Sequence, residues 1–363
     1  MGDHQGVIAV AEHRAGERSE AVARATIKKA GDRWAVAVSG GSDSLALMHL
    51  LADFAKKRRR KAPIVLTVDH GLRKTSASDA RRVVQWAKKL GLKAQTLTWR
   101  GKKPKSGVEA AAREARYHLM GAWLAKNKVA TLFVGHTQDD QAETFLLRLM
   151  RGSGLDGLSG MAALAPWPVE GFEALTVSRP LLGFTREDLR AHLSVIGQDW
   201  LDDPMNEDDA FDRVKIRKAR VALADAGLTT ARIAAAAGHL ARARAALEVV
   251  TEAVLARAAR PYDGGFALDA AALTAAPREV GLRALAALLQ AASGQAYRPR
   301  FESLERLFDR LAAGALGAGA TLHGCHISPA PKSSRNLRPG TLLVRPEKPR
   351  KSGSSAGTAR RRA

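Results

Sequence analysis

Trp34-Ala35-Val36-Ala37-Val38-Ser39-Gly40-Gly41-Ser42-Asp43-Ser44-Leu45-Ala46-Leu47-Met48-His49-Leu50-Leu51 is the stretch on which the fold turns. The apolar run Trp34 to Val38 reads as a strand, and Leu45 to Leu51 as the apolar side of a helix, so Ser39 to Ser44 form the turn between them. Two glycines let successive backbone N–H groups converge on one point. The helix N-terminus adds partial positive charge there, worth about 0.3–2 kcal/mol to an anion. Serine hydroxyls and the Asp43 carboxylate supply ligands for phosphate and metal. The other reading of the same turn is a βα loop whose Ser and Asp merely cap the helix.

The commoner phosphate loop ends in Gly-Lys-Ser/Thr, and here Asp43-Ser44-Leu45 stands in its place. An Asp beside phosphate repels it unless a magnesium ion bridges the two, which gives Asp43 its expected role. The string resembles the loop of enzymes that split ATP between the α- and β-phosphates and form adenylates.

Working outward, Ile64 to Val68 reads as a second strand ending in Asp69-His70-Gly71-Leu72-Arg73, Ser78 to Leu90 as a helix, and Ala94 to Trp99 as extended. Val108 to Lys126 is a helix, and Ala130 to Val134 a strand running into Gly135. Alternation of this kind predicts an α/β fold with a parallel sheet covered on both faces, whose ligands sit beyond the carboxyl ends of the strands. Both Ser39–Ser44 and Gly135–Asp140 fall there. From about Thr230 the texture becomes Ala/Arg/Leu-rich helix. The expected organisation is an N-terminal extension over 1–30, an ATP-binding catalytic domain over 31–222, a mainly helical domain over 223–345 and a disordered basic tail over 346–363.

His136, Asp139, Asp140 and Glu143 recur at helical spacing and would share one helix face, with Leu147 and Met150 continuing it as a buried seam. Thr137 with Asp140 is also readable as a capping box, though capping does not require three carboxylates and a histidine on one stripe at a strand's end. Arg113 and Arg116, three apart on the preceding helix, could clamp phosphates or simply face water.

With 58 Lys and Arg against 36 Asp and Glu, the 363 residues carry a formal net charge of +22. That balance suits a nucleic-acid partner through phosphate neutralisation, and an Ala/Arg-biased composition is its plain alternative. No apolar stretch reaches the ~20 residues that span a membrane. The start has no hydrophobic signal core, and the single cysteine, Cys325, rules out an internal disulfide. A cytoplasmic location is the expectation.

The ordered segments SGGSDS, DHGLR, AAREARY, GHTQDDQAET, RGSGLDGLSGM, RPLL and DDPMNED, spanning roughly Trp34 to Arg217, resemble the tRNA(Ile)-lysidine synthetase family. The resemblance implies ATP-dependent ligation of L-lysine to the wobble cytidine of a CAU-anticodon tRNA(Ile), through an adenylated cytidine, with release of AMP and diphosphate. It implies a homodimer as one possible assembly. Carried over by position, Ser39, Gly40, Gly41, Ser42, Asp43 and Ser44 would bind ATP, with Asp43 beside Mg2+ and with Asp69, Gly135 and Arg113 contributing. Asp43, His136, Asp140, Glu143 and Arg116 would be catalytic, and Asp139, Asp140, Glu143, Asn206 and Arg217 would meet the substrates. Met205, Val214 and Lys215 depart from the family pattern and bear on the geometry around Asn206 and Arg217. A tRNA thiolase or an amidotransferase synthetase would share the opening loop, but the first usually needs paired cysteines and the second a glutaminase motif or an ammonia-supplying partner. A non-catalytic RNA-binding protein predicts a damaged loop, whereas Gly40, Gly41 and Asp43 are all present.

Overall fold

The computed structural model describes residues 33–101, 103–104, 106–202, 212–295, 297–331 and 336–347. The expected extension over 1–30, nearly all of the basic tail, Asn206 and Met205 lie outside these residues.

The chain divides into two compact units, the first up to Ala241 and the second from Arg242. In the first, strands β1 (Ala35–Ala37), β2 (Ile64–Asp69), β3 (Ala94–Thr98), β4 (Thr131–Phe133) and β6 (Thr176–Ser178) run parallel, and β5 (Leu164–Pro166) closes one edge antiparallel. Their order is β3-β2-β1-β4-β6-β5. The connecting helices are α1 (Ser42–Lys57), α2 (Ser76–Lys89), α3 (Val108–Lys126), α4 (Gln138–Met150), α5 (Leu155–Leu158), α6 (Arg186–Val195) and α7 (Asp212–Asp225).

Because side chains alternate across a strand, β1, β2 and β4 each feed two cores. Val36, Val65 and Phe133 pack with Leu45, Met48 and Leu51 of α1 and with Leu189 and Leu193 of α6. Ala35, Leu66 and Leu132 face the other way, onto Tyr117, Met120 and Leu124 of α3 and onto Trp167. A strand buried on both faces needs an unbroken apolar run, as Trp34–Val38 provides.

The strand order reverses between β1 and β4: the chain leaves β1 for β2 on one side and reaches β6 on the other. Such a switch point opens a crevice beyond the strand ends, and the two singled-out loops leave from its two walls.

The second unit begins within α8 (Thr230–Ala258) and contains α9 (Ala270–Thr274), α10 (Arg278–Ser293) and α11 (Phe301–Ala312). It also carries a five-stranded antiparallel sheet, absent from the sequence reading. That sheet orders β7 (Ala259–Tyr262), β8 (Gly265–Leu268), β11 (Leu342–Pro346), β10 (Cys325–Pro329) and β9 (Ala320–Leu322). Leu304, Leu307, Phe308 and Leu311 form the buried stripe of α11, packing with Leu285, Leu289, Ile327 and Val344. Among the described residues no helix is long and apolar enough to cross a membrane.

Candidate active site

The loop after β1 turns at Gly40, whose φ of +98° is open to glycine and strained for other residues. A Cβ there would also lie 2.5 Å from Leu201 Cδ1. Gly41 is the N-cap of α1, and no side chain caps that helix. The side-chain-capping reading of Ser42 and Asp43 therefore fails. Instead Ser44 Oγ donates to Gly41 O (3.0 Å) and accepts from Ser39 N (3.1 Å), while Ser42 Oγ donates to Asp43 Oδ1 (2.9 Å). The hydroxyls tie the loop to itself around an uncapped helix end.

Across the crevice, Thr137 is the N-cap of α4 and forms a capping box with Asp140. His136 therefore precedes the helix instead of sharing its face, because the box fixes extended backbone at Thr137. The expected seam also stops short: Met150 is 71% exposed, and the buried positions of α4 are Asp139, Ala142 and Glu143. Asp140 caps the helix and also reaches into the crevice. Its Oδ2 accepts from Thr137 N (2.8 Å), and its Oδ1 accepts from Arg186 (3.1 Å).

Arg186, which the sequence reading did not single out, organises the centre. It is the first residue of α6, placed by the Thr185–Asp188 capping box. Its guanidinium reaches Asp43 Oδ2 (3.0 Å), Asp140 Oδ1 (3.1 Å) and Glu143 Oε1 (3.6 Å). Its backbone N–H donates to Asp139 Oδ2 (2.8 Å), so Asp139 is turned onto the start of α6. From α7, Arg217 meets Glu143 with two hydrogen bonds, Nε to Oε1 (2.6 Å) and Nη2 to Oε2 (3.1 Å). One anion loop, three carboxylates and two guanidinium groups thus meet around the crevice.

Burial raises the Asp43 carboxyl above its ordinary range, even with Arg186 opposing, because one cation is shared among three acids. Burial alone would lower the Arg186 guanidinium, but Asp140, Asp43 and Glu143 together raise it. His136 is lowered to about 3, by burial first and then by Arg179, Arg116 and Arg113, with Asp140 opposing. His70 is lowered to about 4 by burial and by Arg116 and Lys103, with Asp69 opposing.

The two histidines carry a stability consequence. Both hold native pKa values below the unfolded 6.5, so the unfolded chain binds more protons under acid conditions. Their contribution is complete above pH ~6.5 and falls by roughly 1.4 kcal/mol per pH unit per group as pH drops toward the native values. Urea unfolding between pH 7 and about pH 5 should show this loss, and His70→Asn should reduce the slope by one histidine's share. An unchanged slope in that variant would remove His70 from the account.

A cavity of about 1200 Å³ is lined by Ser39, Gly41, Ser42, Asp43, Ser44, Arg116, Gly135, His136, Asp139, Asp140, Arg186 and Arg217, among others. Most of the expected site residues are therefore brought together. Asp69 instead closes its own turn, accepting from Gly71 N (2.9 Å). Arg113 is exposed, with its guanidinium 5.1 Å from the Tyr117 ring. A second cavity of about 360 Å³ combines Ala142, Leu146, Ile216, Leu223, Leu228 and Ile233 with Asp139 and Glu143.

A family model described as a PP-loop domain matches residues 15–222. A tRNA(Ile)-lysidine synthase of Ruegeria pomeroyi is 43% identical over 269 residues, which are 74% of this chain and 62% of that protein. One from Methylobacterium nodulans is 39% identical over 335 residues, covering 89% of this chain and 95% of that one. In fold, the chain is similar to the U34-tRNA thiolase NcsA from Methanococcus maripaludis, with a TM-score of 0.54 over 66% of this chain and 80% of that one at 14% identity. With its phosphate loop and acidic helix face on opposite walls of one crevice, the chain belongs to the tRNA(Ile)-lysidine synthase family of PP-loop proteins.

Proposed function

We propose that this chain uses ATP to join L-lysine to the wobble cytidine of a CAU-anticodon tRNA(Ile), giving lysidine, AMP and diphosphate. The observation that carries the reading is the meeting of an uncapped helix N-terminus at Ser39–Ser44 with Asp43, Asp140, Arg186 and Arg217 around one cavity, with Glu143 paired to both guanidinium groups from behind. Chains named for this reaction supply the chemistry.

The carbonyl oxygen at position 2 of the cytosine is a poor leaving group. Attack of that oxygen on the α-phosphate breaks the bond to the β-phosphate, releases diphosphate and leaves the oxygen bonded to AMP. The side-chain amine of lysine then forms the C–N bond, and AMP departs with the oxygen. The loop N–H groups and Arg116 receive phosphate charge. Of the described residues, Asp43 fits a magnesium ion, supplying one hard oxygen. No group of three described His, Cys, Asp or Glu could hold a metal alone, so nucleotide phosphates would complete the shell. Held by Asp43, such an ion would supply positive charge against the diphosphate leaving group.

The amine reacts only after losing a proton, and free lysine, with a pKa near 10.4, is about 0.1% or less neutral at pH 7. Asp139 and Glu143 beside the apolar walls of the smaller cavity suit an ammonium on an aliphatic stem. Incubation with ATP, labelled lysine and unmodified CAU-anticodon tRNA should place label on the RNA with stoichiometric AMP. AMP release that ignores lysine, or no transfer, overturns the ligase reading. Asp43→Ala should lose adenylation by about a thousandfold. Asp140→Ala and Glu143→Ala should retain part of the adenylation and block transfer, and normal lysine transfer in either variant would remove that residue from the site.

A further inference from the structure

Arg179, the first residue of the quoted RPLL segment, is only 8% exposed and forms no ion pair with a described carboxylate. A buried cation without a carboxylate is costly, several kcal/mol in general, and its hydrogen bonds show what it is used for. Nε donates to His136 Nδ1 (3.2 Å), Nη1 donates to Ala162 O (3.0 Å), and its own backbone N–H donates to Ala163 O (2.7 Å). The guanidinium is thus fixed by the backbone of the segment before β5 and presented to the histidine. Arginine has donors and no acceptor, so Nδ1 has to offer its lone pair.

We infer that Arg179 is a positioning residue that fixes His136 as the Nε2–H tautomer, making His136 a hydrogen-bond donor to the nucleotide phosphate and excluding it as the acceptor of the lysine proton. The phosphate as recipient rests on the proposed adenylation reaction; the tautomer does not. His136 lines the larger cavity, so a ring proton held on Nε2 is available there to a bound anion. The groups facing the ring agree. Arg179, and Arg116 and Arg113 from α3, oppose a second proton, as does burial, and Asp140 alone favours one. A ring this reluctant to be protonated cannot take a proton from an ammonium. It remains a neutral donor throughout the working range, the state suited to phosphate recognition beside three arginines.

The test uses the full chain with 15N-labelled histidine, the His136 signals being assigned by their loss in His136→Gln. Two-bond proton–nitrogen spectra should show a neutral ring protonated on Nε2, unchanged between about pH 5 and 8. Arg179→Lys, which can still donate, should preserve that pattern; Arg179→Met should release the ring to exchange tautomers or titrate. In tRNA-dependent AMP formation, His136→Gln keeps a donor and should stay within about tenfold of the wild type, while His136→Ala should fall by about a hundredfold. A wild-type ring protonated on Nδ1, one that titrates in this range, or His136→Gln as inactive as His136→Ala overturns the inference. Wild-type protein that forms no AMP from ATP and tRNA would instead remove the proposed reaction, and the ring spectrum would still decide the tautomer.

Discussion

Arg186→Met should destabilise the first unit by about 3–5 kcal/mol at pH 8, the usual cost of removing one partner from a buried charge pair. The guanidinium is 20% exposed, and its partners Asp43, Asp140 and Glu143 are 19%, 17% and 3% exposed. Without it, Glu143 keeps Arg217, while Asp43 and Asp140 face each other with no guanidinium between them. Loss of the cation removes the largest opposing influence on Asp43, whose native pKa burial already raises. A carboxyl raised above its unfolded value favours folding below that value and opposes it as pH rises. The deficit should therefore be largest near pH 8 and shrink toward pH 5. Urea unfolding of wild type and variant at both pH values measures it, and a deficit that is small or equal at both would exclude a charge-balancing role. Arg186→Lys should fall between, because one ammonium cannot replace a fork that meets three acids.

Gly135→Ala should lower the rate of AMP formation by roughly a hundredfold while costing only about 1–3 kcal/mol of stability. A Cβ at Gly135 would lie 2.9 Å from the Asp43 carbonyl oxygen, 3.0 Å from its carbon and 3.1 Å from Ser44 Cα. These are backbone atoms of the phosphate loop, so relief requires the loop itself to move. Gly154→Ala is the matched control: it faces nothing within 4 Å and has an ordinary φ of −79°. Equal rates in the two variants would show that the approach of the two loops does not set the geometry of the reaction.

The sheet of the first unit was legible as far as β4 because β1, β2 and β4 lie in short apolar runs, and all four strands, β3 with its mixed Ala-Gln-Thr-Leu-Thr included, alternate with helices. β6 was harder: Thr176-Val177-Ser178 has one apolar residue, and its place comes from pairing with β4, about 45 residues earlier in the chain. In the second unit, Asp263-Gly264 is a recognised hairpin signal, and both residues have positive φ. It was hidden because the flanking strands are four residues long, one of them Ala-Arg-Pro-Tyr. At the site, residues in glycine-rich or acidic clusters could be read from spacing. Arg186 and Arg179 could not, since their importance arises from partners more than 40 positions away. A local signal did exist for Arg186, as Thr185 with Asp188 marks a helix start.

The bond between Glu143 and Arg217 also sets a timetable for synthesis. Every strand of the first sheet has been made by Ser178, and the Arg186 clamp follows within a few residues, yet the second guanidinium on Glu143 arrives only with α7. Domains fold as they emerge from the ribosome. A nascent chain can therefore hold a finished sheet around a half-neutralised acid, and the last part of the centre is set in place from the C-terminal side.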